Sequence, residues 1–263
     1  MRSIAIMNQK GGVGKTTSTV NISAALAATG KRVCVVDLDP QAHATLHLGV
    51  DLEDEAISVY DVLMNKCKIA EVRRQVGENL WLIPAHLNMV GAELELASAI
   101  GREIILRDEL ADDPFPVDYL FIDCPPSLGL FTLNALTAVQ DVFVPLQPHF
   151  FSLQGFTRLV DTLEAVRRLN KTLRLSGIML CMFDGTNLAE EVLQDITQFF
   201  GHRDRLPAIC RDAVVFETKI RKNIRLAEAP GHGSPIFAYD ANSIGAEDYR
   251  NLAVEIAEKF GNY

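Results

Sequence analysis

The sequence predicts an α/β protein, a doubly wound and mostly parallel sheet with helices on both faces. Three observations carry this. Apolar runs of strand length alternate with helix-length stretches from one end of the chain to the other. Several of the runs are apolar at every position, as in parallel strands covered on both sides. The first run also passes through a glycine-rich turn into a helix.

The strands are predicted at 4–8, 32–38, 80–84, 119–123, 142–146, 177–182 and 214–220. Their Val, Ile and Leu content suits a pleated, buried backbone. The helices are predicted at 15–29, 102–111, 130–138, 154–169, 188–200 and 246–260. Gly30 closes the first by supplying a left-handed residue just past its end. No linker, low-complexity tract or internal repeat divides the 263 residues, so the whole chain, 1–263, is expected to form one domain. In such sheets ligands sit at the carboxyl ends of the strands, and the chemistry is sought there.

Composition narrows the class. An apolar fraction of 48% with 22% charged residues is ordinary for a globular protein. No run approaches the roughly 18 apolar residues of a membrane span, and Asn8, Gln9 and Lys10 interrupt the apolar N-terminus too early for a signal peptide. The five cysteines are scattered without a C-x-x-C pair, which implies reduced thiols and a cytoplasmic protein. His43 and His47 are four apart without a third ligand, so packed or solvated histidines are expected rather than a metal site.

Lys10, Gly11, Gly12, Val13, Gly14, Lys15 and Thr16 stand between the first strand and the first helix. Glycines let backbone N–H groups close around an anion, and the helix start adds its positive dipole end. Lys15 is placed to reach β- and γ-phosphates, and the Thr16 hydroxyl to ligate magnesium. The motif therefore predicts ATP and Mg2+ as cofactors. Hydrolysis also requires carboxylates near the phosphates. Two strands end in them: 33–36 runs into Asp37, Leu38, Asp39 and Pro40, and 119–122 runs into Asp123, Cys124 and two prolines. Asp123 fits a Walker B carboxylate, Asp39 is the candidate for organising the attacking water and reaches metal only through water, and Asp37 either braces the loop or shares these roles.

Three segments together resemble the ParA/Soj branch of deviant Walker A ATPases: Lys10 to Thr17, Val36 to Gln41, and Ile122 to Gly129. Later stretches are similar too, among them Val144 to Gln147 and Arg225 to Pro230. The chain opens at the phosphate-loop strand, as in the short chromosomal type. The resemblance implies a P-loop fold and an ATP-sandwich homodimer in which Lys10 reaches the partner's phosphates. It also implies non-specific DNA binding, a ParB-like partner that stimulates hydrolysis, and nucleoid association. Catalytic roles fall to Lys10, Lys15 and Asp39, and nucleotide contacts to Lys10 through Thr17 with Asp123. Asn187 and Asn223 lie where a base-recognition loop would fall.

The sequence departs from the family in its basic residues. An arginine common in the D-x-R-T-N-L stretch is missing from 183–188, and the proline of P-R-N-V-R-L is replaced by Arg221. Between the fifth helix and the last strand the chain also runs roughly ten residues longer than ordinary connections, and that insert carries Arg203, Arg205 and Arg211. From 203 to 225, seven basic residues against three acidic ones leave +4 in a chain of −9. A basic face on an acidic protein suits sequence-blind phosphate contact. Arg221, Lys222 and Arg225 are accordingly the expected DNA contacts, with the inserted arginines substituting for the missing one.

Other readings of the same residues are an orphan ParA-like ATPase with a different cargo, a MinD-like positioning ATPase, and a carboxylate-activating ligase or iron–sulfur reductase on the same fold. The C-terminal segment 249–263 lacks the basic amphipathic face of a membrane-binding helix, so no membrane partner is expected.

Overall fold

Apolar residues on both faces of the central strands bury the middle of a nine-stranded sheet between two helical layers. A computed structural model describes residues 1–53, 56–148, 152–202, 204 and 206–261. The strands are β1 (Arg2–Ile6), β2 (Val33–Asp37), β3 (Arg74–Gly77), β4 (Leu80–Ile83), β5 (Tyr119–Asp123), β6 (Asp141–Leu146), β7 (Arg174–Phe183), β8 (Val214–Val215) and β9 (Ile220–Arg221). Their order is β3-β4-β2-β5-β1-β6-β7-β8, with β9 also pairing β7; β3 is antiparallel to β4 and the other pairings are parallel.

Alternation along each strand divides the core. Ile4, Ile6, Val33, Val35 and Phe121 face a layer containing α1 (Lys15–Ala28) and α12 (Ile244–Phe260). Ala5, Val36, Ile122, Val142 and Val144 face a layer containing α7 (Leu130–Ala138), α8 (Ser152–Val166) and α9 (Asn187–Gly201). Because each position meets a covered face, the strands read as unbroken apolar runs.

The shorter helices are α2 (His43–His47), α3 (Val59–Leu63), α4 (Ile69–Val72), α5 (Ala92–Leu96), α6 (Ile105–Asp112), α10 (Ile224–Glu228) and α11 (Ile236–Tyr239). Four or five residues give too few turns for periodicity to reveal most of them. In α2, His43 is exposed while His47 is buried, so the two do not converge.

The expected strand 214–220 is instead two short strands. Phe216 turns into the core, with its ring 5.3 Å from Phe143. The Glu217 and Thr218 N–H groups donate to the Glu255 carboxylate, at 2.9 and 3.1 Å, instead of to a neighbouring strand. In the insert before them, Leu206, Ile209 and Cys210 are buried and pin the segment to the core, whereas Arg211 is exposed. Arg203 and Arg205, expected to contact DNA, lie outside the described residues.

Register then places the chemistry. Asp37 pairs with Asp123 and Asp123 with Ile6, so the carboxyl ends of β2, β5 and β1 stop at one level. The phosphate loop follows β1, and Thr16 at its end reaches Asp123.

Candidate nucleotide site

Two glycines of the loop need their identity. Gly12 and Gly14 adopt φ of +72° and +92°, in the left-handed region that L side chains rarely enter. Gly14 caps α1 in that conformation. Asn8 ties the loop down, donating from Nδ2 to the Pro145 carbonyl at 2.7 Å and accepting the Lys10 N–H on Oδ1 at 3.0 Å.

The two lysines of the loop differ. Lys15 is 8% exposed and its Nζ donates to the Lys10 carbonyl at 3.4 Å. Burial lowers its pKa, with Asp123 and then Asp39 opposing the shift. Lys10 is exposed. Val13 is buried beneath the loop, and Thr17, the last residue of the motif, lines a neighbouring cavity.

Asp123 is fully buried. Thr16 Oγ1 donates to its Oδ2 at 2.7 Å and Thr19 Oγ1 to its Oδ1 at 3.1 Å. Its pKa is raised, first by burial and then by the neighbouring Asp37, and the two hydroxyl donors offset part of that rise. Asp37 is also raised by burial. It accepts the Thr45 N–H and Oγ1 at 2.8 Å each and the Asp39 N–H at 3.1 Å, so its oxygens are committed to the turn leading into α2. Asp39, 8% exposed, accepts only the Gln41 N–H on Oδ1 at 3.0 Å among the described hydrogen bonds. Of these carboxylates, Asp39 retains acceptor capacity toward the loop and Asp37 is a brace.

The oxygens of Thr16 and Asp123 suit a hard cation such as Mg2+. No group of three or more His, Cys, Asp or Glu able to hold a metal exists among the described residues. One carboxylate and one hydroxyl fit an ion that takes its remaining ligands from water and phosphate.

A cavity of about 290 Å3 opens beside Gly14 and Thr17. Cys181 and Met182 from β7, the 220–227 segment and Tyr249 complete its walls. Asn223 is at this cavity, where its side chain caps α10 by accepting the Arg225 N–H at 2.8 Å. Asn187 is not: it begins α9, is exposed, and does not line the cavity. Sequence reasoning missed Asn8, Thr19, Ser18 and Tyr249, whose partners lie far away in the chain and leave no local pattern.

The three expected DNA contacts share one region with unequal freedom. Lys222 is exposed. Arg225 pairs with Glu228 at 2.9 Å and Asp240 at 3.4 Å, both partly exposed. Arg221 is bound to Asp248, which is buried, and to Glu247. The +4 of the stretch is therefore partly neutralised by acids from outside it. No helix among the described residues is long and apolar enough to cross a membrane.

A family model described as an AAA domain matches residues 1–175. The chain is 45% identical over 257 residues to the sporulation initiation inhibitor protein Soj of Bacillus subtilis, spanning 97% of each. It is 40% identical over 267 residues to the chromosome partitioning protein ParA of Caulobacter vibrioides, spanning 98% of this chain and 95% of that one. Among solved structures, a cobyrinic acid a,c-diamide synthase from Mycobacterium smegmatis with bound ATP analog and magnesium superposes with a TM-score of 0.81 at 34% identity, covering 100% of this chain and 97% of that one. The loop, its two strand-end carboxylates and this similarity over nearly the full length agree: the chain belongs to the ParA/Soj family of P-loop ATPases, with ATP and magnesium as its cofactors.

Proposed function

We propose that the protein is a DNA-partitioning ATPase whose ATP-bound form is a homodimer. The observation that carries this reading is the opposite fate of two lysines in one loop. Lys15 is buried, with the charges of Asp123 and Asp39 of its own chain acting on it, and Lys10, five residues earlier, is exposed. An exposed cation on the phosphate loop is available to a second copy's phosphates, as an arginine finger is. Lys15 and the loop amides hold the β- and γ-phosphates, and Asp39 orients the water. Thr16 and Asp123 hold magnesium, which when bound supplies neutralisation of phosphate charge. Dimers bind DNA without sequence preference through the region of Lys222 and Arg225. A ParB-like partner stimulates hydrolysis, the pair separates, and DNA is released. The cargo is a chromosomal or plasmid segment, the first of these in line with the name of the Caulobacter vibrioides relative, and the protein is then nucleoid-associated.

Gly11 tests the pairing. It lies outside the left-handed region, and a Cβ built there meets nothing within 4 Å. Gly11→Val should therefore leave melting temperature and ATP affinity unchanged while abolishing the ATP-dependent dimer in light scattering. A dimer that persists would remove the sandwich.

The DNA face is tested by Lys222→Glu with Arg225→Glu. ATP binding should be retained and DNA affinity lost at moderate salt. The slope of log affinity against log salt should fall by about two, one for each lost phosphate contact. Full DNA affinity in this variant would place the interface elsewhere. A ligase reading remains from the name of the structural neighbour; an acyl phosphate formed with release of ADP from ATP and a small carboxylate, or an amide and phosphate once ammonia is also supplied, would favour it.

A further inference from the structure

Three consecutive residues of α12 clamp two walls of the cavity beside the phosphate loop. Tyr249 is 1% exposed, with its hydroxyl 3.0 Å from Ser18 Oγ on α1, and Ser18 Oγ lies 3.6 Å from Cys181 Sγ. Asp248, 4% exposed, accepts the Arg221 backbone N–H at 2.8 Å and the Arg221 Nε–H at 3.0 and 3.1 Å. Arg221 Nη2 donates to Asp248 Oδ1 at 2.5 Å and to Glu247 Oε2 at 2.7 Å. One side of the bracket thus grips the phosphate-loop helix and the other grips β9.

Strand β9 needs such a grip. It has two residues, and its pairing with β7 skips Met182, which sits at φ +55° between Cys181 and Phe183. A ladder this short and interrupted cannot by itself fix the 220–227 wall. The Arg221–Asp248 clamp supplies what the ladder lacks, at the point where Arg221 enters the lining.

The strength of that clamp separates Arg221 from its basic neighbours. The acid partners of Lys219 and Arg225 are between 33% and 49% exposed, and such pairs contribute little and exchange readily for another anion. Asp248 is buried. Drawing Arg221 away to a phosphate would leave an uncompensated carboxylate in the interior. Arg221, although 46% exposed, is therefore held by Asp248 and does not exchange it for DNA phosphate as readily as its neighbours exchange their partners.

The geometry points to Arg221 and Asp248 as positioning residues for the base of the nucleotide, holding the 220–227 wall against it. This rests on the proposed ATP binding at the phosphate loop, with the base taken to enter the cavity beside Gly14 that Asn223 also lines. The test compares affinity for ATP with affinity for inorganic tripolyphosphate, which uses the loop but has no base. Arg221→Met should weaken ATP binding at least roughly tenfold, a loss of about 1.4 kcal/mol, and leave tripolyphosphate unchanged. Arg221→Lys, which keeps the charge but not the fork, should fall between the two. Arg221→Met with Asp248→Asn removes the buried unpaired charge and should recover thermal stability while ATP binding stays weak. At saturating ATP, Arg221→Met should bind DNA as the wild type does, whereas Lys222→Glu should not. Equal weakening toward ATP and tripolyphosphate would reduce the clamp to a general structural role and overturn the proposal, as would unchanged ATP affinity or lost DNA affinity in Arg221→Met. If the wild type itself bound tripolyphosphate as tightly as ATP, the base cavity would be wrong before any variant was measured.

Discussion

Lys15→Met is expected to weaken ATP binding on the order of a hundredfold, close to 3 kcal/mol, because it removes a charge-assisted contact to the phosphates. Methionine keeps the apolar stem, so packing around the loop is little disturbed. The same change should not lower the melting temperature of the nucleotide-free protein. Burial pushes the Lys15 pKa down, which means the folded chain releases this proton more readily than the unfolded chain. Stability then rises with pH between the lowered value and the ordinary value of 10.5, and at neutral pH the buried ammonium is a cost to the fold. Nucleotide removes that cost in the wild type. Thermal melts with and without ATP and magnesium should therefore show a ligand-induced rise in the wild type and a much smaller one in the variant at the same ATP concentration. A variant that kept the rise would show that the loop does not bind phosphate through Lys15.

Asp39→Ala is expected to slow hydrolysis by about 10² to 10⁴, the range for a positioned acid–base group, with ATP affinity changed only a few-fold. The ATP-bound dimer should accumulate, and a monomer in light scattering with saturating ATP would contradict the role. Asp37→Ala separates chemistry from scaffolding. Asp37 accepts three hydrogen bonds from Thr45 and Asp39 while fully buried, and its loss leaves the Thr45 N–H without a partner. That variant should lose about 2–4 kcal/mol of stability in denaturant melts before any effect on turnover is interpreted. If Asp37→Ala were stable and inactive, the water-positioning role would pass from Asp39 to Asp37.

The sequence by itself determined the central strands of the sheet, the main helices and the phosphate loop, but not the edge strand β3 or the division of 214–220 into β8 and β9. The former follow from local rules. Strands covered on both faces read as apolar runs, long helices show their period, and a loop that wraps an anion requires glycine at Gly12 and Gly14. It also placed Asp123 at a strand end, since that aspartate directly follows an apolar run. Only the tertiary structure decided which carboxylate is committed and which retains capacity. Asp37 and Asp39 are two residues apart in a similar local setting, and Thr45 across the turn distinguishes them. The basic stretch shows the same limit. Counting charge along 203–225 treats Arg221, Lys222 and Arg225 as equals, but the acids that neutralise Arg221 lie on α12, more than twenty residues away in the chain. Charge adds up along a sequence, whereas the field at a surface depends on which opposite charges fold beside it.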